Sequence, residues 1–275
     1  MKNIKVLNND VVIPSTGIGL WQVRNKDQVE TTLSHAYETG YRLIDTAAAY
    51  GNEKEVGKTI KNLALPREEL FITTKLWNSD QGYQSTLQAF KKSMKLLQLD
   101  YLDLYLIHWA VQDKFLDSWK AMEKLYEEGY IRAIGVCNFQ ISHLDQLISN
   151  CNVLPVINQI EYHPYLVQNN LHDYCLNKNI QVEAWSPLGQ GSLVHDRSLL
   201  AIAEKYNKSV AQVILKWHMH KGIIPIPKSS NPKRIMENFN IFDFSLNNED
   251  IVSINKLNEN RRFGPHPDHF HLVFG

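Results

Sequence analysis

The amino-acid sequence predicts an α/β fold, a (β/α)8 barrel of parallel strands alternating with helices, on three observations. Eight short β-rich runs recur along the 275 residues: 17–20, 42–45, 70–75, 101–108, 131–136, 156–159, 180–185 and 223–226. Most are apolar on both faces, as strands of a covered parallel sheet are. The gaps between them carry helical periodicity, and no low-complexity linker interrupts the alternation, so residues 1–275 read as one barrel domain rather than a doubly wound sheet. No repeated residue motif underlies this reading; it rests on the alternation of period alone.

In chain order, the opening IKVLNNDVVIP places two short runs around an Asn-Asn-Asp turn. That is a β-hairpin signal, and a hairpin ahead of the first strand can plug the bottom of a barrel. Residues 26–39 place Val29, Leu33, Ala36 and Tyr37 on one helical stripe that stops at Gly40. Residues 113–128 do the same through Phe115, Leu116, Trp119, Met122, Leu125 and Tyr126, with Gly129 at the C-terminal cap. Near the end, LNNEDIVSINKLNE reads as an extra helix and RRFGPHPDHFHLVFG as an irregular tail.

Composition excludes several function classes. The 29 basic residues match the 29 acidic ones, leaving no global field to attract nucleic acid or an anionic membrane. An apolar share of 44% suffices for a large core, while no apolar run approaches the roughly 18 residues a membrane helix needs. Cys137, Cys151 and Cys175 are odd in number and lack metal-ligand spacing, which suits a reducing compartment. With no apolar signal core in MKNIKVLNND, the expected location is the cytoplasm. His266, His269 and His271 sit on a tail without a rigid scaffold, so no metal site is expected.

Barrels carry their chemistry at the C-terminal ends of the strands. Asp45, Lys75, His108, Asn138, Gln159, Trp185 and Lys228 each close one apolar run or follow it directly. Taken singly, each has an ordinary reading: a turn cap for Asp45, a solvent-seeking ammonium for Lys75, a satisfied core histidine for His108, a loop aromatic for Tyr50. Jointly they fit a proton-transfer device, because neighbouring strand ends converge. A phenol with a pKa of about 10 is a poor acid at neutral pH and needs a nearby cation to favour the phenolate it becomes. Lys75 can be that cation, and a buried ammonium in turn needs a counter-charge such as Asp45. His108, neutral, would hydrogen-bond the oxygen of a carbonyl substrate. Such a group reduces carbonyls only if a nicotinamide cofactor supplies hydride.

The usual dinucleotide-binding glycine motif is missing, since Gly17-Ile18-Gly19 lacks a third glycine and Gly189-Gln190-Gly191 does not open a helix after a strand. Another anion site is available. Between Lys205 and Met236 stand seven basic residues and no acid. Within this stretch the last strand runs into a helix through Lys228, Ser229 and Ser230, where hydroxyls, backbone N–H groups and a helix N-terminus can cradle phosphate. Arg234, one turn on, can grip a second phosphate in bidentate fashion. The plain alternative is a solvated basic helix.

The ordered blocks LIDTAAAYGNE, TTKLW, LDLYLIHW, AIGVCNF, NQIEYHPYL, EAWSPLGQG and IPKSSNPKRIMEN resemble those of the aldo-keto reductases over almost the whole chain. RRFGPHPDHF is similar to the microbial branch that includes 2,5-diketo-gluconate reductases and glyoxal or methylglyoxal reductases. The resemblance implies a TIM barrel that is monomeric and reduces aldehydes and ketones with NADPH. It implies Tyr50 as general acid, Lys75 and Asp45 as its tuning pair, and His108 as substrate orienter. Asn138 and Gln159 would hold the nicotinamide carboxamide and Trp185 would stack on its ring. Gly19, Leu20 and Ser186 would lie near the cofactor, with Leu188, Gln190 and Ser192 along the pyrophosphate. Lys228, Ser229 and Arg234 would take the 2′-phosphate, and Glu237 and Asn238 the adenine. Trp21, Trp77 and Trp109 would wall the substrate pocket. Cys137 stands where serine is frequent, Ala110 replaces a frequent proline, and the short tail implies an open pocket. Two other readings are a lyase forming a Schiff base through Lys75 and a non-catalytic NADPH-sensing regulatory subunit.

Overall fold

The computed structural model describes residues 3–270. Antiparallel strands β1 (Ile4–Val6) and β2 (Val12–Pro14) form the expected hairpin. The barrel strands follow as β3 (Gly17–Gly19), β4 (Leu43–Asp45), β5 (Phe71–Leu76), β6 (Leu104–Ile107), β7 (Ile134–Cys137), β8 (Ile157–Glu161), β9 (Gln181–Trp185) and β10 (Ile224–Pro225). Each pairs in parallel with the next in chain order. A bridge between Gly19 and Lys228, with Gly19 N–H donating to the Pro227 carbonyl at 3.0 Å, joins the first strand to the last. The result is the predicted (β/α)8 TIM barrel.

Helices α1 (Lys26–Thr39), α2 (Glu53–Asn62), α3 (Tyr83–Leu97), α4 (Phe115–Glu127), α5 (Ile141–Ile148), α6 (Asn169–Asn177), α7 (Arg197–Tyr206), α8 (Val210–His220), α9 (Pro232–Phe239) and α10 (Asn248–Asn255) surround it. Helix α1 has the predicted bounds. Asn25 caps its start by accepting from Gln28 N–H, and Gly40 ends it in the left-handed conformation that spares a Cβ clash.

Several expectations shift, among them the run 131–136, which is strand over Ile134–Cys137. The run 101–108 is strand only from Leu104, because Asp103 is a buried anchor that accepts from Arg67, Arg132 and the Ile72 N–H. The last strand shrinks to two residues because Pro225 and Pro227 have no N–H to give a ladder. The tail is not wholly irregular: Pro267–Phe270 forms a short helix, α11. His271 lies outside the described residues, so the histidine trio is seen only in part. No group of three His, Cys, Asp or Glu among the described residues could hold a metal ion. None of their helices is long and apolar enough to cross a membrane.

Two apolar clusters build the core. The larger lies between the strands and the helix ring. The smaller fills the lower barrel with Leu43, Phe71, Leu104, Leu106, Ile157 and Ile224, and the hairpin's Leu7 and Ile13 close it from below. Asn8 and Asn9 at the hairpin tip donate to the carbonyls of Pro155, Asn179 and Arg132, which ties the plug to the loops it covers. Side chains alternate inward and outward with period two. Directly above inward-facing Leu43, Leu106 and Ile157 therefore stand Asp45, His108 and Gln159. An apolar lower barrel thus fixes which polar groups face the upper opening.

Candidate active site

At the upper opening the ends of β4 and β5 place Asp45 beside Lys75. Lys75 is completely buried, and its Nζ donates to Asp45 Oδ1 at 2.7 Å, Asp45 Oδ2 at 2.8 Å and the Thr46 carbonyl at 2.9 Å. Tyr50 hangs from a one-turn 3-10 helix, Ala48–Tyr50, that ends at Gly51, and its hydroxyl lies 3.4 Å from the same Nζ. An ammonium has three N–H donors for these four oxygens, so the longest contact is the one that can strengthen when charge develops on the phenol.

Burial works on each of these groups. It would lower Lys75, but Asp45 and then Tyr50 outweigh it, and the ammonium is held above its ordinary range. Burial pushes the Tyr50 phenol up to about 12, with Lys75 pulling it down and Asp45 raising it. The cation's effect on the phenol is therefore smaller than that of burial. His108 is driven well below its ordinary value by burial, then by Lys75, and is neutral. Its Nδ1 is buried without a partner, which leaves Nε2 as the ring nitrogen that can donate into the opening. Its ring stands edge-on to Tyr50 and Trp77, at centroid separations of 5.9 and 5.2 Å.

These groups form the floor of a cleft of about 1860 Å³. Trp21, Trp77 and Trp109 line it with Tyr50 and His108. Gly19, Asn138, Gln159, Trp185, Ser186, Leu188 and Gln190 continue along it, and Lys228, Ser229, Arg234, Glu237 and Asn238 line its far end. Asn138, Ser186 and Gln190 have φ of 61°, 47° and 53°. Non-glycine residues rarely adopt such values, and strain of this kind gathers where a site needs it. Asn138 donates to the His108 carbonyl at 3.0 Å and accepts from Trp185 Nε1 at 2.8 Å, so the indole is held across the opening.

Some predicted residues sit elsewhere. Leu20 is fully buried in the apolar layer between the strands and the helix ring and does not line the cleft, and Ser192 and Ser230 are exposed outside the cleft walls. The α9 N-terminus is no free amide cradle: Asn231 Oδ1 already accepts from the N–H groups of Lys233 and Arg234. The basic stretch is also partly neutralised, since Lys205 pairs with Asp250 and Lys208 with Asp243. Lys228 and Arg234 make no ion pair among the described residues, which leaves these two cations open to the cleft.

Sequence reasoning missed several walls. Leu200, Ala203 and Glu204 of α7, Asn207 at its C-terminal cap and Gln212 of α8 border the far end. Phe263, Gly264, Pro265 and Phe270 bring the tail over the near end, with the Phe270 ring 4.1 Å from Trp109. The tail thus covers part of the pocket that its shortness suggested would be open. Glu161 holds it there. This buried carboxylate accepts from the N–H groups of Phe263 at 2.6 Å and Gly264 at 3.3 Å and faces Arg262 at 3.7 Å. Gly264 is needed, because a Cβ would come within 2.3 Å of the Trp185 ring.

Residues 16–259 match the model of the Aldo/keto reductase family. The chain belongs to this family. It is 53% identical over 268 residues to a glyoxal reductase of Bacillus subtilis (strain 168), covering 98% of this chain and 97% of the relative. It is 49% identical to a methylglyoxal reductase of Escherichia coli (strain K12), with 96% of each chain covered. A solved Bombyx mori aldo-keto reductase in complex with NADP superposes with a TM-score of 0.90 at 38% identity, covering 97% of this chain and 96% of that one. As an aldo/keto reductase, the chain is an NADP-dependent oxidoreductase.

Glu161→Ala is expected to free the tail while leaving the barrel folded. Loss of hydrogen bonds to a charged group, about 1.5–3 kcal/mol each, makes cleavage by trypsin after Arg261 or Arg262 at least roughly tenfold faster. Unchanged cleavage would show that the tail is held by other contacts.

Proposed function

We propose that Tyr50 is the proton donor in the NADPH-dependent carbonyl reduction that this aldo/keto reductase performs. The observation that carries this reading is one ammonium, Lys75 Nζ, shared between the Asp45 carboxylate and the Tyr50 hydroxyl at the cleft floor. A phenol whose pKa is near 12 keeps its proton throughout the physiological range, so the donor is always charged with it. When that proton leaves for a carbonyl oxygen, the developing phenolate faces Lys75, and the fixed cation favours the product. His108, neutral and with Nε2 free, holds the carbonyl oxygen beside Tyr50.

The donor set fits the cofactor. A long cleft with amides at one end and two unpaired cations at the other suits a nicotinamide dinucleotide carrying an extra phosphate. When bound, NADPH supplies the hydride that no side chain can. Asn138 and Gln159 would hold the carboxamide, Trp185 would border the ring, and Ser186, Leu188 and Gln190 would follow the pyrophosphate. Lys228, Ser229 and Arg234 would take the 2′-phosphate, while Glu237 and Asn238 would border the adenine.

Substrates on this reading are small aldehydes and dicarbonyls. A pocket walled by Trp21, Trp77 and Trp109 rewards flat or apolar carbonyl compounds, and the glyoxal and methylglyoxal reductases among the relatives support the dicarbonyls in particular. Three free cysteines suit a reducing cytoplasm, and the family resemblance implies that the enzyme acts as a monomer. The Schiff-base alternative gains no support, because Lys75 is held as an ammonium by three short contacts and has no free amine to attack a carbonyl. A purely sensing role gains none either, since the complete acid, cation and carboxylate have no use in binding alone.

Tyr50→Phe is expected to lower aldehyde reduction, followed at 340 nm with NADPH, by at least about 10²-fold, the usual worth of a positioned acid. Quenching of tryptophan fluorescence by NADPH should persist. Retained turnover would refute the assignment. Arg234→Ala should raise the KM for NADPH by roughly tenfold or more, the share of a charge-assisted pair, and leave that for NADH nearly unchanged. Equal effects on both would place the 2′-phosphate elsewhere.

A further inference from the structure

We propose that Glu183 is a positioning residue for the reduction: through Gln159 it fixes the amide bordering the pocket, and its carboxyl must remain uncharged for Tyr50 to release a proton readily. The proposal rests on Tyr50 as the donor. Glu183 lies on β9, fully buried, facing the barrel interior one layer below Trp185 and in register with Gln159 of β8. Gln159 Nε2 donates to Glu183 Oε2 and to Asp45 Oδ2, each at 2.9 Å. An amide nitrogen carries two N–H bonds, so both are spent. Gln159 Oε1 is thereby turned toward Cys137 Sγ, 3.7 Å away, and the cleft that both residues line.

Two carboxyl groups sharing one nitrogen cannot both ionise cheaply; the two 2.9 Å contacts bound their oxygens to within 5.8 Å. Lys75 settles which one does, since it contacts both oxygens of Asp45, while no ion pair reaches Glu183 among the described residues. Glu183 Oε1 has no hydrogen-bond partner. The groups facing Glu183 are Asp45 from β4, Lys75 from β5 with Tyr50 beyond it, and Cys137 from β7. On its other flank β10 offers only apolar Ile224. Burial, then Asp45, pushes Glu183 up to about 8, with Gln159 and Lys75 opposing.

With Glu183 protonated, Asp45 and Lys75 cancel. Once it ionises, the floor carries a net negative charge that opposes a phenolate on Tyr50, so proton donation slows as pH rises through the Glu183 titration.

The test is single-turnover oxidation of NADPH by methylglyoxal from about pH 6 to 10, in the parent and Glu183→Gln. The contacts through Gln159, Asp45 and Lys75, of 2.9, 2.9, 2.8 and 3.4 Å, bound Glu183 Oε2 to within 12.0 Å of the Tyr50 hydroxyl. A unit charge at about 10 Å and an effective dielectric of about 20 is worth about tenfold in rate. The parent rate should fall by about that factor around pH 8, while Glu183→Gln, which imitates the protonated acid, should stay flat. Infrared difference spectra should show a carboxylic-acid C=O band in the parent that titrates over the same range and is missing from Glu183→Gln. Glu53, also buried but served by the hydroxyls of Thr74 and Ser93, is the control: Glu53→Gln should keep the titrating band. Parallel pH profiles in parent and variant, or no such band, would overturn the proposal while leaving Tyr50 as donor. A parent without reductase activity would instead sink the proposed function. Should Glu183→Gln fail to fold, the parent and Glu53→Gln infrared titrations decide alone.

Discussion

A buried ammonium is the constraint on which the upper barrel is organised. Desolvating a lysine costs several kcal/mol unless its charge is met, and at Lys75 it is met by both oxygens of Asp45 and the Thr46 carbonyl. Those acceptors come from the end of β4 and the residue after it, so the pair depends on β4 and β5 lying side by side in register, Asp45 opposite Thr73. The barrel supplies that register, and the apolar layer beneath, sealed by the hairpin, keeps water from competing for the charge. What remains unsatisfied is the contact to Tyr50, and on the proposed function that deficit is what makes the arrangement reactive rather than merely stable.

The same logic sets the polarity of the cleft. Charge at its floor is internally cancelled, leaving hydrogen-bonding amides and a neutral imidazole near the reacting centre. At its far end two cations are uncancelled although many other lysines and arginines find partners. A ligand that is neutral at one end and anionic at the other is the complement of this surface. Between the ends, backbone strain at Asn138, Ser186 and Gln190 turns the strand-end loops inward to follow such a ligand.

Much of this was legible in the sequence because the barrel converts period into position. Asp45, Lys75, His108, Asn138, Gln159 and Trp185 each close an apolar run, and a residue at the upper end of a barrel strand has few places to point. What was hidden depended on distance along the chain. Asp243 and Asp250 neutralise lysines some forty residues earlier, and α7 and α8 reach the cleft only through the folded helix ring. Two signals were present but unread. Asn231 before Pro232 is a capping residue followed by a first-turn proline, which assigns the α9 amides to the cap. Glu183 sits inside an apolar strand run two residues before Trp185, hence on the same inward face, where a carboxylate demands a reason.

On the proposed function, the Asp45–Lys75 pair lets a half-buried phenol give up its proton. Removing one partner alone would strand a charge in the core, so the decisive variant replaces both, Asp45→Asn with Lys75→Met. Single-turnover oxidation of NADPH by an aldehyde should then slow by roughly 10²-fold or more, since the phenolate loses its fixed cation, while NADPH affinity changes little. A rate within a few-fold of the parent's would mean that the phenol acts without the ion pair.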